Sequence, residues 1–300
     1  MKKRVREISD DEIQVIGGKK KTKPNKTKIA ICISVVAAVM LICALLWSTF
    51  DSGKSTLPYS AEPGYFEPSE PLPTARPDSI MPLAKAEVEE TGRGFIEIAD
   101  TTINDIPLRL YLPHAVRMSL QIGYLDRNDT SILFATQAAD IRADNGGIVG
   151  AFVLQGEPKA WGLSKKGFCA IINDTVTVGM AENSPLFEKA TEKGGYFFRQ
   201  FPLVDNGKLV ENEQKGKSVR RALCQRGDET FTIETLDTES FHDFAQALVD
   251  LGVDNAIYLI GSNAYGWATD ADGQRHEFGN PAPPKKRWKN INYLVMRNKD

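Results

Sequence analysis

Residues 29–50, IAICISVVAAVMLICALLWSTF, form an uncharged run of 22 residues, and no other segment restricts the chain so tightly. At about 1.5 Å per residue a helix of that length spans about 33 Å, enough for a hydrocarbon core of about 30 Å. A helix buried in a soluble core would carry a polar face, whereas the polar side chains here are Ser34, Ser48 and Thr49. A cleaved signal peptide has an apolar region of about 7–15 residues behind a short basic start. This run is longer, 28 residues precede it, and Trp47 with Phe50 suits an interfacial anchor better than a cleavage site. The expectation is one uncleaved transmembrane helix.

Its flanks set an orientation. Residues 1–28 hold ten Lys or Arg against four acids, and beyond the run come Asp51 and a lone Lys54. Positive-inside bias keeps residues 1–28 as a cytoplasmic basic tail and places residues 51–300 outside the cytoplasm, periplasmic if the source is bacterial. The tail carries +6 and the whole chain −2, which leaves −8 on the remainder. An acidic exterior argues against a nucleic-acid partner, whose phosphates need a basic surface. The tail either touches anionic lipid or serves only as a topology signal.

Residues 51–90 read as a stalk. Pro58, Pro63, Pro68, Pro71, Pro73, Pro77 and Pro82 recur among Ser, Glu, Thr and Gly, with few aliphatic side chains to offset chain entropy. Pro68 to Pro71 also satisfies P-x-x-P, although readers of that motif are mostly cytosolic. Cys32 and Cys43 fall in the spanning run; Cys169 and Cys224 lie beyond it, where either a disulfide or two buried thiols is compatible with the apolar segments GFCAII and RALCQ. His114, His242 and His276 are scattered and no C-x-x-C occurs, so neither a metal site nor a cofactor is expected.

From about residue 91 the pattern changes to short strands between turns. FIEIAD (95–100) and LRLYLP (108–113) alternate; IVGAFVLQG (148–156) and CAIINDTVTVGM (169–180) are rich in β-branched residues. YFFRQFPLVDNGKLV (196–210) and RRALCQRGDETFTIET (220–235) read as hairpins. One helix is clear: capping side chains at 237–240, then Phe241, Phe244, Leu248 and Leu251 at helical spacing, with Gly252 to end it. AIYLI (256–260) follows as a buried strand. A helix returning the chain to a central strand predicts an α+β domain over 91–300, a mixed, strand-dominated sheet core with a few packing helices, preceded by the one transmembrane helix. About 210 residues suffice for one core.

The order of these elements, GAFVLQGE, PLVDNGKLV, an Arg-x-Ala strand, and then FHDFAQALVDLGV feeding AIYLIG, resembles the phosphodiester glycosidase family, the relatives of the lysosomal-enzyme uncovering glycosidase. The resemblance covers roughly residues 95–297 and is strongest over 237–263. It implies hydrolysis of a sugar from a sugar–phosphate diester. The family's motifs are altered, however. Its Asn-Gly-Gly-Phe-Phe falls on Gln137-Ala138-Ala139-Asp140-Ile141, and its Leu-Asp-Gly-Gly-Gly-Ser on Leu259-Ile260-Gly261-Ser262-Asn263-Ala264. Arg-Thr-Ala survives in part as Arg220-Arg221-Ala222. Loss of the motif carboxylate removes a group of the kind typically worth about 10²–10⁴-fold in rate.

Asp140 is the substitute acid or base, or else a turn aspartate, and Arg220 joins it as the second catalytic candidate. Arg142 and Arg199 offer guanidinium geometry for phosphate. Gln137 and the loop residues Ser262, Asn263, Tyr265 and Trp267 follow or adjoin a buried strand's end, where the aromatic pair would stack on a sugar or seal the core. Two readings follow: a membrane-anchored extracytoplasmic hydrolase acting on a phosphorylated or phosphodiester-linked sugar, and a catalytically silent relative that binds an envelope glycan or an envelope protein.

Overall fold

A computed structural model describes residues 82–85, 92–281 and 289–299. Among them lie seventeen strands and two helices. The first sheet orders β1 (Phe95–Ile103), β2 (Ile106–His114), β13 (Glu229–Thr235), β12 (Arg221–Arg226), β14 (Asn255–Leu259), β10 (Pro202–Asp205) and β11 (Lys208–Leu209). The second orders β16 (Arg275–Phe278), β15 (Gly266–Thr269), β4 (Ile132–Gln137), β17 (Asn292–Asn298) and β3 (Val116–Ile122). The third orders β6 (Glu157–Trp161), β5 (Ala151–Leu154), β9 (Tyr196–Gln200), β7 (Gly167–Ile172) and β8 (Thr175–Met180).

This corrects the α+β expectation. Each ladder is antiparallel, including those on both sides of β14, and the helices are short: α1 (Leu186–Glu192) has 7 residues and α2 (Phe241–Asp250) has 10. The expected helix that returns the chain to a central strand is there, but it is one of two short helices, and strand residues far outnumber helical ones. No described helix is long and apolar enough to cross a membrane; the run 29–50 lies outside the described residues.

Local chemistry explains the hairpins. Asn104-Asp105, Asn173-Asp174 and Asn206-Gly207 each place two successive residues at positive φ, the twist that tight antiparallel hairpins require, and Asn, Asp and Gly tolerate it best. Helix α2 begins where Ser240 Oγ accepts from the Asp243 N–H at 3.0 Å, and Gly252, at φ +85°, turns the chain out of it.

The main core lies where the three sheets meet, with Tyr111, Leu223 and Ile257 from the first, Phe134 and Leu294 from the second, and Phe152 and Phe198 from the third. Phe244 and Leu248 of α2 cover the outer face of the first sheet, and α1 covers the outer face of the third. Cys169 and Cys224 are buried free thiols, and burial pushes both above the ordinary thiol range. Leu83 and Ala84, at the end of the Pro-rich segment, donate backbone N–H groups to Glu229 Oε1 at 2.8 and 3.1 Å.

Candidate functional site

Strands from all three sheets end at residues 137–140. The Ile260 N–H, just past β14, donates to the Gln137 carbonyl at the end of β4 at 3.2 Å. Gln200, closing β9, donates through Nε2 to the Ala138 carbonyl at 3.3 Å and to Asp140 Oδ2 at 3.4 Å. From β17, Asn292 accepts the Ala139 N–H at 2.7 Å and returns a bond to the Ala139 carbonyl at 3.2 Å. The peptide is thus gripped by side-chain amides from two sheets.

Arg221 braces the junction from beneath. Its Nη1 donates to the Ile260 carbonyl at 2.9 Å and to Thr136 Oγ1 at 3.0 Å, while Nε and Nη2 donate to Glu234 Oε2 at 3.1 and 2.6 Å. The second oxygen of Glu234 accepts the Tyr111 hydroxyl. Burial and the neighbouring carboxylate push Tyr111 above its usual range. In so dry a setting charge-assisted bonds fix the two strand ends against each other.

Asp140 forms an ion pair with Lys165, whose ammonium also donates to Gln200 Oε1 at 2.8 Å and lies 4.4 Å from the centre of the Phe201 ring. Burial draws the Lys165 ammonium down to about 7, and contact with the Asp140 carboxylate acts in the opposite direction. Lys165 was not singled out from sequence, because SKKG reads as a solvated loop. Only the chain's return, with Lys165 at φ +67°, turns it inward.

Alongside opens a cleft of about 160 Å³ whose lining includes Gln137, Asn263, Tyr265 and Trp267 together with Arg127 and Tyr293. The Tyr265 hydroxyl donates to Glu277 at 2.7 Å, and the Arg127 guanidinium stands 4.2 Å from its ring centre. Burial first, and then the Glu277 contact, pushes Tyr265 up to about 12. Trp267 is 1% exposed; its Nε1 donates to the Ile132 carbonyl at 3.0 Å, and Arg275 covers its ring at 3.7 Å. Trp267 therefore floors the cleft and seals the outer face of the second sheet.

The remaining sequence candidates are placed elsewhere. Ser262 is exposed at φ +53°, and its N–H donates to the Val219 carbonyl at 2.8 Å. Arg220 is stacked 4.4 Å from the Phe241 ring centre and donates to the Glu239 and Gly216 carbonyls at 2.8 and 2.6 Å. Arg142 pairs with Asp144 at 3.3 Å on the surface. Arg199 neighbours Gln200 in β9, so alternation sends it to the opposite face, away from Asp140. Among the described residues no group of three or more His, Cys, Asp or Glu is placed to hold a metal ion.

No known protein family's profile matches the chain. No curated protein matches it either. Among solved structures, a hypothetical protein from Synechocystis is similar at a TM-score of 0.51 and 11% identity, over 69% of this chain and 62% of its own. The catalytic domain of zebrafish N-acetylglucosamine-1-phosphodiester alpha-N-acetylglucosaminidase, auto-inhibited by its pro-peptide, is similar at a TM-score of 0.48 and 15% identity, over 69% of this chain and 83% of that one. The likeness is a distant one of fold alone.

Proposed function

We propose that this protein holds one ring of a phosphorylated or phosphodiester-linked sugar in the cleft of Gln137, Asn263 and Tyr265 and does not cleave it: a phosphodiester glycosidase-like fold used for binding. The lining carries this reading. It consists of amides, aromatic rings, aliphatic side chains and one guanidinium, with no carboxylate among the described residues that form it. Glycoside hydrolysis generally relies on carboxylates flanking the scissile bond. Asp140, the acid closest along the chain to Gln137, is engaged by Lys165 and Gln200. The amides suit sugar hydroxyls, tyrosine rings suit the C–H face of a pyranose, and Arg127 suits a phosphate. A volume of about 160 Å³ is small against pockets for drug-sized ligands, which favours a single ring. The basic tail and the 29–50 run would tether this binding domain outside the cytoplasm.

A hydrolytic reading draws on one observation. A lysine near neutrality beside a carboxylate is the kind of pair that moves protons. Calorimetric titration of the purified full chain with sugar 1-phosphates and sugar 1-phosphodiesters, with products followed, separates the two. Saturable binding without turnover is expected, weakened about tenfold or more by Asn263→Ala and by Tyr265→Ala. Turnover that Asp140→Asn abolishes would return the chain to the hydrolases. Failure to bind any sugar in the panel would remove both readings.

A further inference from the structure

Arg199 is buried to 2% exposure on the outer face of the third sheet. Its guanidinium donates to three main-chain carbonyls: Lys165 at 3.1 Å and Ala181 at 2.9 Å through Nη1, and Glu182 at 2.7 Å through Nη2. Carbonyls satisfy donors but carry no net charge. Among the described residues no carboxylate lies within ion-pair distance of Arg199; the Glu182 side chain turns outward to Lys166 at 2.8 Å. Nε is buried and has no hydrogen-bond partner. Two of the five N–H groups, the one on Nε and the second on Nη2, and a full positive charge are thus left without a counterpart, and buried charges are ordinarily paired. Burial pulls the guanidinium below its ordinary pKa, the direction expected of an uncompensated cation.

Arg199 also lines an open groove of about 660 Å³, within the usual size of ligand pockets. The groove's lining includes Trp161, Leu163, Pro185 and Phe187 together with the exposed Glu188. Trp161, the last residue of β6, is 67% exposed and Leu163 just beyond it is 63% exposed, an unusual amount of bare apolar surface at one strand end. This groove is separate from the sugar cleft, with which it shares no lining residue.

We propose that this groove binds a small molecule with an apolar body and a single carboxylate, the body against Trp161 and Leu163 and the carboxylate drawn to Arg199. One uncompensated cation calls for one negative charge. Glu188 in the same lining repels a dianion more strongly than a monoanion, so a carboxylate fits better than a phosphate monoester.

The test is titration of the purified full chain with 3-phenylpropionate, 3-phenylpropanamide and phenyl phosphate, followed by calorimetry. The carboxylate is expected to bind at least tenfold tighter than its neutral amide, and tighter than phenyl phosphate. Leu163→Asp and Trp161→Ala, both at exposed positions where the fold tolerates change, are expected to weaken it at least tenfold with unchanged thermal unfolding. Equal affinity for acid and amide, no binding by the folded wild type, tighter binding of phenyl phosphate, or indifference to both substitutions would each overturn the proposal. The wild-type comparison of acid with amide decides the matter even where a variant folds poorly.

Discussion

Arg221 and Glu234 are 1% and 7% exposed at their side chains, and such a pair is held in place less by its own attraction than by the cost of leaving one member alone. Arg221→Met should therefore destabilise the domain by about 3–5 kcal/mol in urea unfolding, because Glu234 would keep only the Tyr111 hydroxyl. The double change Arg221→Met with Glu234→Leu should cost distinctly less; equal costs would show that the guanidinium acts through Thr136 and Ile260 rather than through the ion pair. Lys165 yields a pH dependence. Its pKa falls from 10.5 in the unfolded chain to about 7 in the fold, so across that window the unfolded chain retains a proton that the folded one has released. Stability from this site must then rise with pH between about 7 and 10.5. Unfolding free energies of wild type and Lys165→Met, measured from pH 7 to 10, should diverge in favour of wild type. Parallel curves would mean that the Asp140 carboxylate offsets the burial completely.

At the level of elements, α2 makes its contribution through one face. Phe244 and Leu248 are fully buried against the first sheet, and the Phe241 ring packs tilted against Tyr258 of β14 with centroids 4.8 Å apart. Phe244→Ala should cost about 3–5 kcal/mol, and a change within about 0.5 kcal/mol would show that the helix is not packed as described. This helix was legible because its signals are local: a capping serine, apolar side chains three and four apart, and a glycine at the exit. The hairpins were legible for the same reason, since Asn-Asp and Asn-Gly mark their turns. The second sheet was not. Its register pairs Trp267 with Ala135 and Leu294 with Leu120, partners far apart in sequence, and short runs such as ILFATQ do not say which strand they will meet. The candidate site divides along the same line. Gln137, Asn263, Tyr265 and Trp267, proposed from motif positions at strand ends, line one cleft, whereas the contacts of Lys165, Gln200 and Asn292 with residues 138–140 join segments far apart in sequence and leave no local mark of their partners. The α+β class rested on the one helix that returns the chain to a central strand, and the two helices among the described residues are too short to set it against seventeen strands.

For the whole molecule, the charge on either side of the 29–50 run makes a testable claim about topology. Protease added to the extracytoplasmic side of intact cells should release a fragment close to residues 51–300 and spare the basic tail. Digestion of the tail instead, or a mature chain starting after residue 50, would reverse the topology inferred from charge. The sheet order bears on when the domain can close. β17 runs between β3 and β4, and its Asn292 holds the peptide that follows Gln137 of the cleft. It is also the last described strand along the chain. While the ribosome is still making the preceding residues, β3 and β4 lack their common partner and the loop 137–140 lacks its clamp. β3 and β4 can therefore join into one sheet only once residues 292–298 have been made, so the ordering of that sheet and of the 137–140 peptide waits on a segment far along the chain from both.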